Sequence, residues 1–347
     1  MIYKILFLFI LSSNYLFANN IDDVSYVKLI DILEKKIPLI MHKYKTPGVS
    51  ISLIRNNQIV WSKGFGVKKK GYPDVIDKET IFEAASMSKP VFAYTALKLV
   101  DKGKIDLYKP LDKYLKKPYF PDQPKVALIT AQMVLSHTSG LPNWRKKGKP
   151  LKLYFEPGTG KKYSGEGYRY LQKAVERITG IRLDKYINKV LFKPLQLSRS
   201  SFVWKKEFKK NYARGHDKKG EYKSKRRFYK KPNAAFTLYT TANDYARFLL
   251  HVMNNSTNKG LQTKTYKGYT TIQQPVKGKT SGKQRTFGWS VKDKINFLEH
   301  SGANGTGFRT YARLDITNKS GVVILTNAKN GKKTYKKIIK LIDKFDD

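Results

Sequence analysis

Apolar residues recur at helical spacing at the start of the chain. Val24, Val27, Ile30, Leu33 and Ile37 lie between Ile21 and Lys43, with Pro38 placed to kink or divide the segment. Pro47-Gly48 breaks that helix. Val49, Ile51 and Leu53 then alternate with Ser50, Ser52 and Ile54, the period of a half-buried strand, and Asn56-Asn57 turns the chain into a second strand from Ile59 to Phe65. Helical spacing returns after Ser86 through Val91, Tyr94, Leu97 and Val100 and stops at Gly103. From there to about residue 250 the pattern is helices, loops and turns, punctuated by Pro110, Pro118, Pro121, Pro124, Pro142, Pro150 and Pro157. The chain ends as strands at Trp289 to Val291 and Phe297 to Glu299. A hairpin of Gly307 to Asp315 and Gly321 to Leu325 follows around Thr317-Asn318-Lys319, and then an amphipathic helix from Lys332 to Phe345.

Strands at both ends and helices between them predict an α/β (α+β) fold. An antiparallel sheet flanked by helices is built from both chain ends, with a mainly helical domain inserted. The expected boundaries are about 21–85 and 285–345 for the sheet-bearing part and about 86–284 for the helical part, within a mature domain of 19–345. A site in such an architecture lies in the cleft between the two parts.

Composition changes this picture in three places. Lys4, the apolar stretch Ile5 to Ile10 and Leu16-Phe17-Ala18 read as a signal peptide over 1–18. The stretch falls short of the ~20 residues a membrane span needs, and no later segment competes, so the mature chain is expected to be exported, periplasmic or secreted, with no transmembrane span. The absence of cysteine excludes disulfides, thiolate metal sites and thiol catalysis. No metal-ligand constellation or phosphate-binding loop is present, so no cofactor is expected. Lys and Arg number 69 against 26 Asp and Glu, a net charge of +43. Such a surface adheres weakly to anionic envelope surfaces, but export removes nucleic acid as a specific partner. Lys, Asn, Ile and Tyr are abundant together, so compositional drift is the plainer account of the charge.

The candidate nucleophile is Ser86, in Ser86-Met87-Ser88-Lys89. Residues i and i+3 share a helix face, so the Lys89 amine reaches toward the Ser86 hydroxyl. A serine hydroxyl needs a base, and a lysine needs burial or cationic neighbours to act as one. With about one residue in five basic, Ser-x-x-Lys also arises by chance, as in Ser25 to Lys28 and Ser256 to Lys259. Ser25 falls on the polar face of the first helix and Ser256 in a polar loop. Ser86 follows the apolar Ile81-Phe82-Glu83-Ala84-Ala85 and opens a buried helix.

Further motifs succeed one another along the chain. Leu135-Ser136-His137-Thr138-Ser139-Gly140-Leu141-Pro142 comes after a helix begun at Thr130. Phe155-Glu156-Pro157-Gly158 precedes Tyr163-Ser164-Gly165, and His300-Ser301-Gly302-Ala303-Asn304-Gly305-Thr306-Gly307-Phe308-Arg309 lies near the end. This set resembles the penicillin-recognising serine hydrolases of the class C β-lactamase type, a family that includes D,D-peptidases, D-aminopeptidases and family VIII esterases. The resemblance covers nearly the whole mature chain. It implies that Ser86 attacks an acyl carbon while Lys89 and Tyr163 jointly carry its proton. His300-Ser301-Gly302 takes the place of a Lys-Thr-Gly strand, and the N–H groups of Ser86 and Ala303 form the oxyanion hole. Ser301, Gly302 and Arg309 are the implied substrate contacts, although an exposed strand arginine is the plainer reading of Arg309. His137 is expected to hold its turn, Trp289 to line the cleft or pack in the core, and Ala235, Thr240-Thr241 and Asp244 to be scaffold.

Decoys and departures sharpen the expectation. Tyr186-Ile187-Asn188 keeps the family's Tyr-x-Asn form but lies mid-helix, where packing is expected. Lys279-Thr280-Ser281-Gly282 imitates Lys-Thr-Gly in a polar loop, whereas His300 is expected to end a strand. Tyr163 lacks the following amide that contacts a β-lactam's acyl side chain, and His300 brings less charge than lysine. Both departures favour peptidoglycan-like peptide or ester substrates over β-lactams. A β-lactamase, a non-catalytic penicillin sensor and a basic envelope-binding module are the alternatives.

Overall fold

The computed structural model describes residues 22–346 except 147, 223–227, 256–259, 274–283 and 292–296. The expected signal peptide, the Ser256 and Lys279 decoys and part of the Lys218–Lys231 cluster lie outside the described residues, as does the Ser25 side chain.

The elements in order are α1 (Asp22–Lys43), β1 (Gly48–Arg55), β2 (Gln58–Gly66), β3 (Phe82–Ala85), α2 (Ser88–Asp101), α3 (Ala131–Leu135), α4 (Gly165–Thr179) and α5 (Leu183–Ile187). Then come β4 (Leu238–Thr240), α6 (Ala242–Met253), α7 (Thr263–Thr270), β5 (Ser290–Val291), β6 (Phe297–Ala303), β7 (Arg309–Asp315), β8 (Ser320–Thr326) and α8 (Gly331–Asp346). Six strands form one antiparallel sheet in the order β2-β1-β8-β7-β6-β5, and β3 pairs with β4 separately. The first and last strands of the chain meet at the sheet's middle, with Val49 opposite Thr326 and Ile54 opposite Gly321.

One face of the sheet carries α1 and α8. Leu29, Leu33 and Ile37 from α1 pack with Ile338 and Ile342 from α8 on Val49, Ile51, Leu53 and Ile324. The other face joins the larger core of the central segment, through Ile54, Val323, Leu325 and Ala312. β1 is therefore buried along almost its whole length rather than half-buried. Alternation signals one wet face only when nothing covers the polar side, and here α6 packs over it. Ser52 meets its need by a 2.8 Å hydrogen bond to Ser62. Pro38 does not divide α1; it lies on the helix's exposed side.

Two strand limits also differ from expectation. β6 does not end at His300 but runs to Ala303. β7 starts at Arg309 rather than Gly307, because Gly307 turns with φ +115°, a conformation open to glycine, and a side chain there would strike the His216 backbone. Among the described residues, no helix is long and apolar enough to cross a membrane.

Candidate active site

The chain leaves buried β3 through Ala85, a non-glycine residue held at φ +49°. That conformation is costly and must be held by its surroundings. The hold is visible: Ser88 Oγ donates to Ala85 O at 2.6 Å and accepts from the Leu238 N–H at 3.0 Å. The carbonyl of buried Met87 accepts from Tyr245 at 3.0 Å. The turn so clamped presents Ser86, partly exposed, just ahead of α2, whose N-terminus contributes positive potential.

Lys89 lies in the first turn of α2 and is buried. Its Nζ donates to the Ala235 carbonyl at 2.8 Å and stands 4.6 Å from the centre of the Tyr163 ring. Burial first, and the Arg285 charge second, hold the Lys89 amine well below its ordinary value. Enclosure pushes the Tyr163 phenol up to about 12 against the opposing pull of the neighbouring Ser86 side chain and of Arg285. The Arg285 guanidinium lies 5.1 Å from the Tyr163 ring centre and donates to Ser290 Oγ at 2.8 Å.

The start of α4 and the His137 turn together aim Tyr163. Ser164 caps α4 by accepting from the Gly167 N–H at 2.8 Å, and its own N–H donates to His137 Nδ1 at 3.0 Å. His137, at φ +61°, lays its ring 4.5 Å from that of Tyr163. An accepting Nδ1 means a neutral ring protonated at Nε2. Burial, with Arg285, Lys89 and His300 nearby, holds the imidazole well below its ordinary value.

β6 supplies the opposite wall. His300 and Gly302 face inward; the His300 ring centre is 6.2 Å from that of Tyr163. A side chain on Gly302 would come within 2.2 Å of the Ala84 carbonyl, which already accepts from Thr310 at 2.8 Å, so only glycine lets β6 lie this close to β3. Ser301 alternates outward, on the side of Tyr335 of α8. β5 pairs only with Leu298 and Glu299, which leaves the edge from His300 to Ala303 beyond its end. Ala303 lies opposite Arg309, whose Nη1 donates to the carbonyls of Asn304 and Phe308 at 2.9 and 2.7 Å, on the α8 side of the sheet. That guanidinium ties down its own hairpin, on the face away from Ser86.

Ser86, Lys89, Tyr163, His300 and Gly302 thus converge, whereas Ser301 and Arg309 put their side chains elsewhere. Tyr186 is buried and donates to Thr95 O at 3.0 Å, the packing role expected of it, and Trp289 is wholly in the core. Three contributors left little or no trace in the sequence. Arg285 carried no signal distinguishing it from 68 other basic residues. Ala235 acts through its carbonyl, which no residue type advertises. Glu83, buried in β3, accepts from Tyr212 at 2.8 Å, Asn304 at 2.5 Å and Thr306 at 2.6 Å. It ties the strand before Ser86 to the loop after Ala303. Its only signal was a carboxylate inside an apolar run.

Comparison with known proteins bears on this geometry. A sequence profile for the family described as Beta-lactamase matches residues 33–345. Protein flp of Staphylococcus aureus (strain N315) is 23% identical over 85% of this chain, which spans 62% of that protein's length. N-acetylmuramyl-L-alanine amidase of Bacillus subtilis (strain 168) is 27% identical over 82% of this chain and 78% of its own. Among solved structures, D-alanine carboxypeptidase AmpC from Burkholderia cenocepacia superposes with TM-score 0.72 at 19% identity, covering 91% of this chain and 99% of that one. A likeness at that identity speaks to fold, and the fold is the class C β-lactamase and D,D-peptidase type expected from the sequence. Among the described residues, no cluster of His, Asp and Glu could hold a metal ion.

Proposed function

The chain belongs to the beta-lactamase family of serine hydrolases, and on that premise we propose that it cleaves peptidoglycan-like peptide or ester bonds through an acyl-enzyme on Ser86. The observation that carries this reading is Lys89 beside Ser86 and Tyr163: its buried amine stands 4.6 Å from the centre of the Tyr163 ring, and burial and Arg285 hold it well below its ordinary value.

In the acylation step Ser86 Oγ bonds to the acyl carbon and its proton passes to the Lys89–Tyr163 pair. With the phenol pushed up to about 12 and the amine down, the amine is the acceptor and the phenol the relay. The carbonyl oxygen takes the negative charge between the Ser86 and Ala303 N–H groups. As the tetrahedral intermediate collapses, the bond to the leaving group breaks and the pair returns the proton to its nitrogen or oxygen. Water then attacks the ester, gives a proton to the same pair, and regenerates Ser86.

Gly165 and His300 stand where an amide and a lysine would support β-lactam turnover, so slow nitrocefin hydrolysis is expected. The names of the Bacillus amidase and the Burkholderia carboxypeptidase agree with a cell-wall substrate. Such a substrate calls for the export that residues 1–18 suggest. Intact-mass analysis after treatment with a fluorophosphonate or penicillin tests the reading. One adduct mapped to Ser86, absent in Ser86→Ala, is expected; an adduct that survives that substitution overturns it.

Weak adhesion to anionic envelope surfaces has one supporting observation. The α8 carboxylates Asp343 and Asp346 are paired with Arg313 and Arg55, while Lys332, Lys333, Lys336, Lys337 and Lys340 line an exposed face. Salt-insensitive binding to phosphatidylglycerol vesicles, or none at all, counts against it.

A further inference from the structure

The two helices on one face of the sheet carry their charge unevenly. In α8 the fully exposed positions are Lys332, Lys333, Lys336, Lys337, Lys340, Lys344 and Asp346. That is six lysines in seven, where the chain as a whole has about one basic residue in five, so composition alone does not account for the face. α1 adds Lys28, Lys35, Lys36 and Lys43 on its exposed side. The described carboxylates of both helices are already engaged: Asp31 with Lys35, Glu34 with Lys63, Asp343 with Arg313 and Asp346 with Arg55. Each of these pairs leaves the α8 lysines out, and their charge projects outward uncancelled.

Both helices rest their apolar stripes on the same side of the sheet and pack together there, Leu29, Leu33 and Ile37 with Ile338 and Ile342. Their exposed stripes therefore point away from the sheet side by side, as one positively charged face. Within it Leu39 keeps 63% of its surface in solvent, one turn after Lys35 and one turn before Lys43. Val27, also exposed, stands beside Lys28. That leucine decides what the face fits. A hydrated polyanion satisfies lysines and gains nothing from an uncovered apolar side chain. A bilayer satisfies both, because lysine stems lie along its surface with their ammonium groups at the phosphates while the leucine enters between headgroups.

We propose that the outward face of α1 and α8 docks on an anionic lipid bilayer and holds the cleft turned away from it. This docking rests on the envelope-adhesion reading above and adds to it the face, the lipid and the orientation. The core that holds α2, the helix opening just after Ser86, lies on the opposite side of the sheet. A docked molecule therefore keeps its serine turn clear of the lipid, where a cell-wall strand can reach it. Near an anionic bilayer each lysine strengthens partitioning by about fivefold, and salt weakens the effect.

Cosedimentation with vesicles of phosphatidylglycerol and phosphatidylcholine is the test. The wild type is expected to bind, to be released as salt rises, and to ignore phosphatidylcholine alone. Lys336→Gln/Lys337→Gln/Lys340→Gln should weaken binding by about 10²-fold. The same loss of charge at exposed Lys206, Lys209 and Lys210, in the central segment, should change it by less than about twofold. Leu39→Gln, which removes no charge, should weaken it by about fivefold or more. Each variant should keep the wild-type urea midpoint, since all the changes are at the surface. The chain has no cysteine, so single labels can be placed. An environment-sensitive fluorophore on Leu39→Cys should shift to the blue on these vesicles, and one on Leu128→Cys, exposed in the central segment, should not. A shift at Leu128 overturns the orientation. Equal losses from the two lysine triples overturn the docking face and leave general adhesion standing. A loss with the α8 lysines but none with Leu39→Gln marks a soluble polyanion as the partner and overturns the bilayer. Absence of wild-type binding at low salt overturns the adhesion reading itself, and this docking with it.

Discussion

The two faces of the central sheet treat the same side chain in opposite ways. On the α1–α8 face the core is aliphatic, and the lysines of α8 stand outward in water. On the cleft face Lys89 is buried among tyrosines, its amine meeting a carbonyl rather than a carboxylate. A lysine in water is a hydrated charge that changes little when replaced. A lysine stripped of water has its amine shifted toward the neutral form, the form able to take a proton. The net charge of +43 therefore says little about the proposed chemistry, which turns on the few basic groups held out of solvent.

The largest effect that separates the faces is expected from methionine substitution of lysine. Lys89→Met should reduce ester kcat/KM by about 10³-fold or more, within the range for a lost general base, while Lys336→Met leaves it unchanged. Similar small effects at both positions would erase the distinction. Next in size is Glu83→Gln, which sets an amide against the donating Asn304 and loosens the link between the Ser86 turn and the Ala303 loop. A fall of about 10²-fold in kcat/KM is expected, with much of it recovered in Glu83→Gln/Asn304→Asp, where donor and acceptor are exchanged. No recovery would reduce Glu83 to a packing role.

Arg285→Gln tests the electrostatics. The guanidinium lowers both the Lys89 amine and the Tyr163 phenol, so its loss raises both. The acidic limb of the kcat/KM profile should move to higher pH; a limb that stays or moves down contradicts the assignment. Smaller still is a stability effect. His137 has its folded-state pKa depressed by burial, so the unfolded chain binds a proton the folded chain refuses as pH falls below about 6.5. Stability is thereby lost toward acid at up to about 1.4 kcal/mol per pH unit. His137→Asn, which tolerates the positive φ, should flatten that part of the slope in urea titrations between pH 4 and 7. Smallest of all, replacing Lys336, Lys337 and Lys340 by glutamine should shift stability by less than about 0.5 kcal/mol.

How far the sequence foretold this molecule depends on the kind of signal each part left. Period-two alternation at both ends and helical spacing between them were enough for the fold type. Strand limits were not, because Ser301-Gly302-Ala303 carries no apolar alternation and the burial of β1 depends on α6, a distant segment. Ser86 and Lys89 were legible because their relation is local, one helical turn. Tyr163 was legible through its place in an ordered set of motifs. Arg285, Ala235 and Glu83 owe their positions to tertiary contacts, and in so basic a chain a single buried arginine is camouflaged.

The Glu83–Asn304 bond joins positions 221 residues apart. During synthesis, at roughly 5–20 residues per second, about 10–45 s elapse between them. Through that interval the Ser86 turn exists without the loop that braces it, and β1 without β8, the strand it pairs with in the sheet's middle. An unfinished chain thus lacks both the tie between the Ser86 turn and the Ala303 loop and the partner of β1. Losing the last few strands would cost it both the sheet's middle and the wall opposite Ser86.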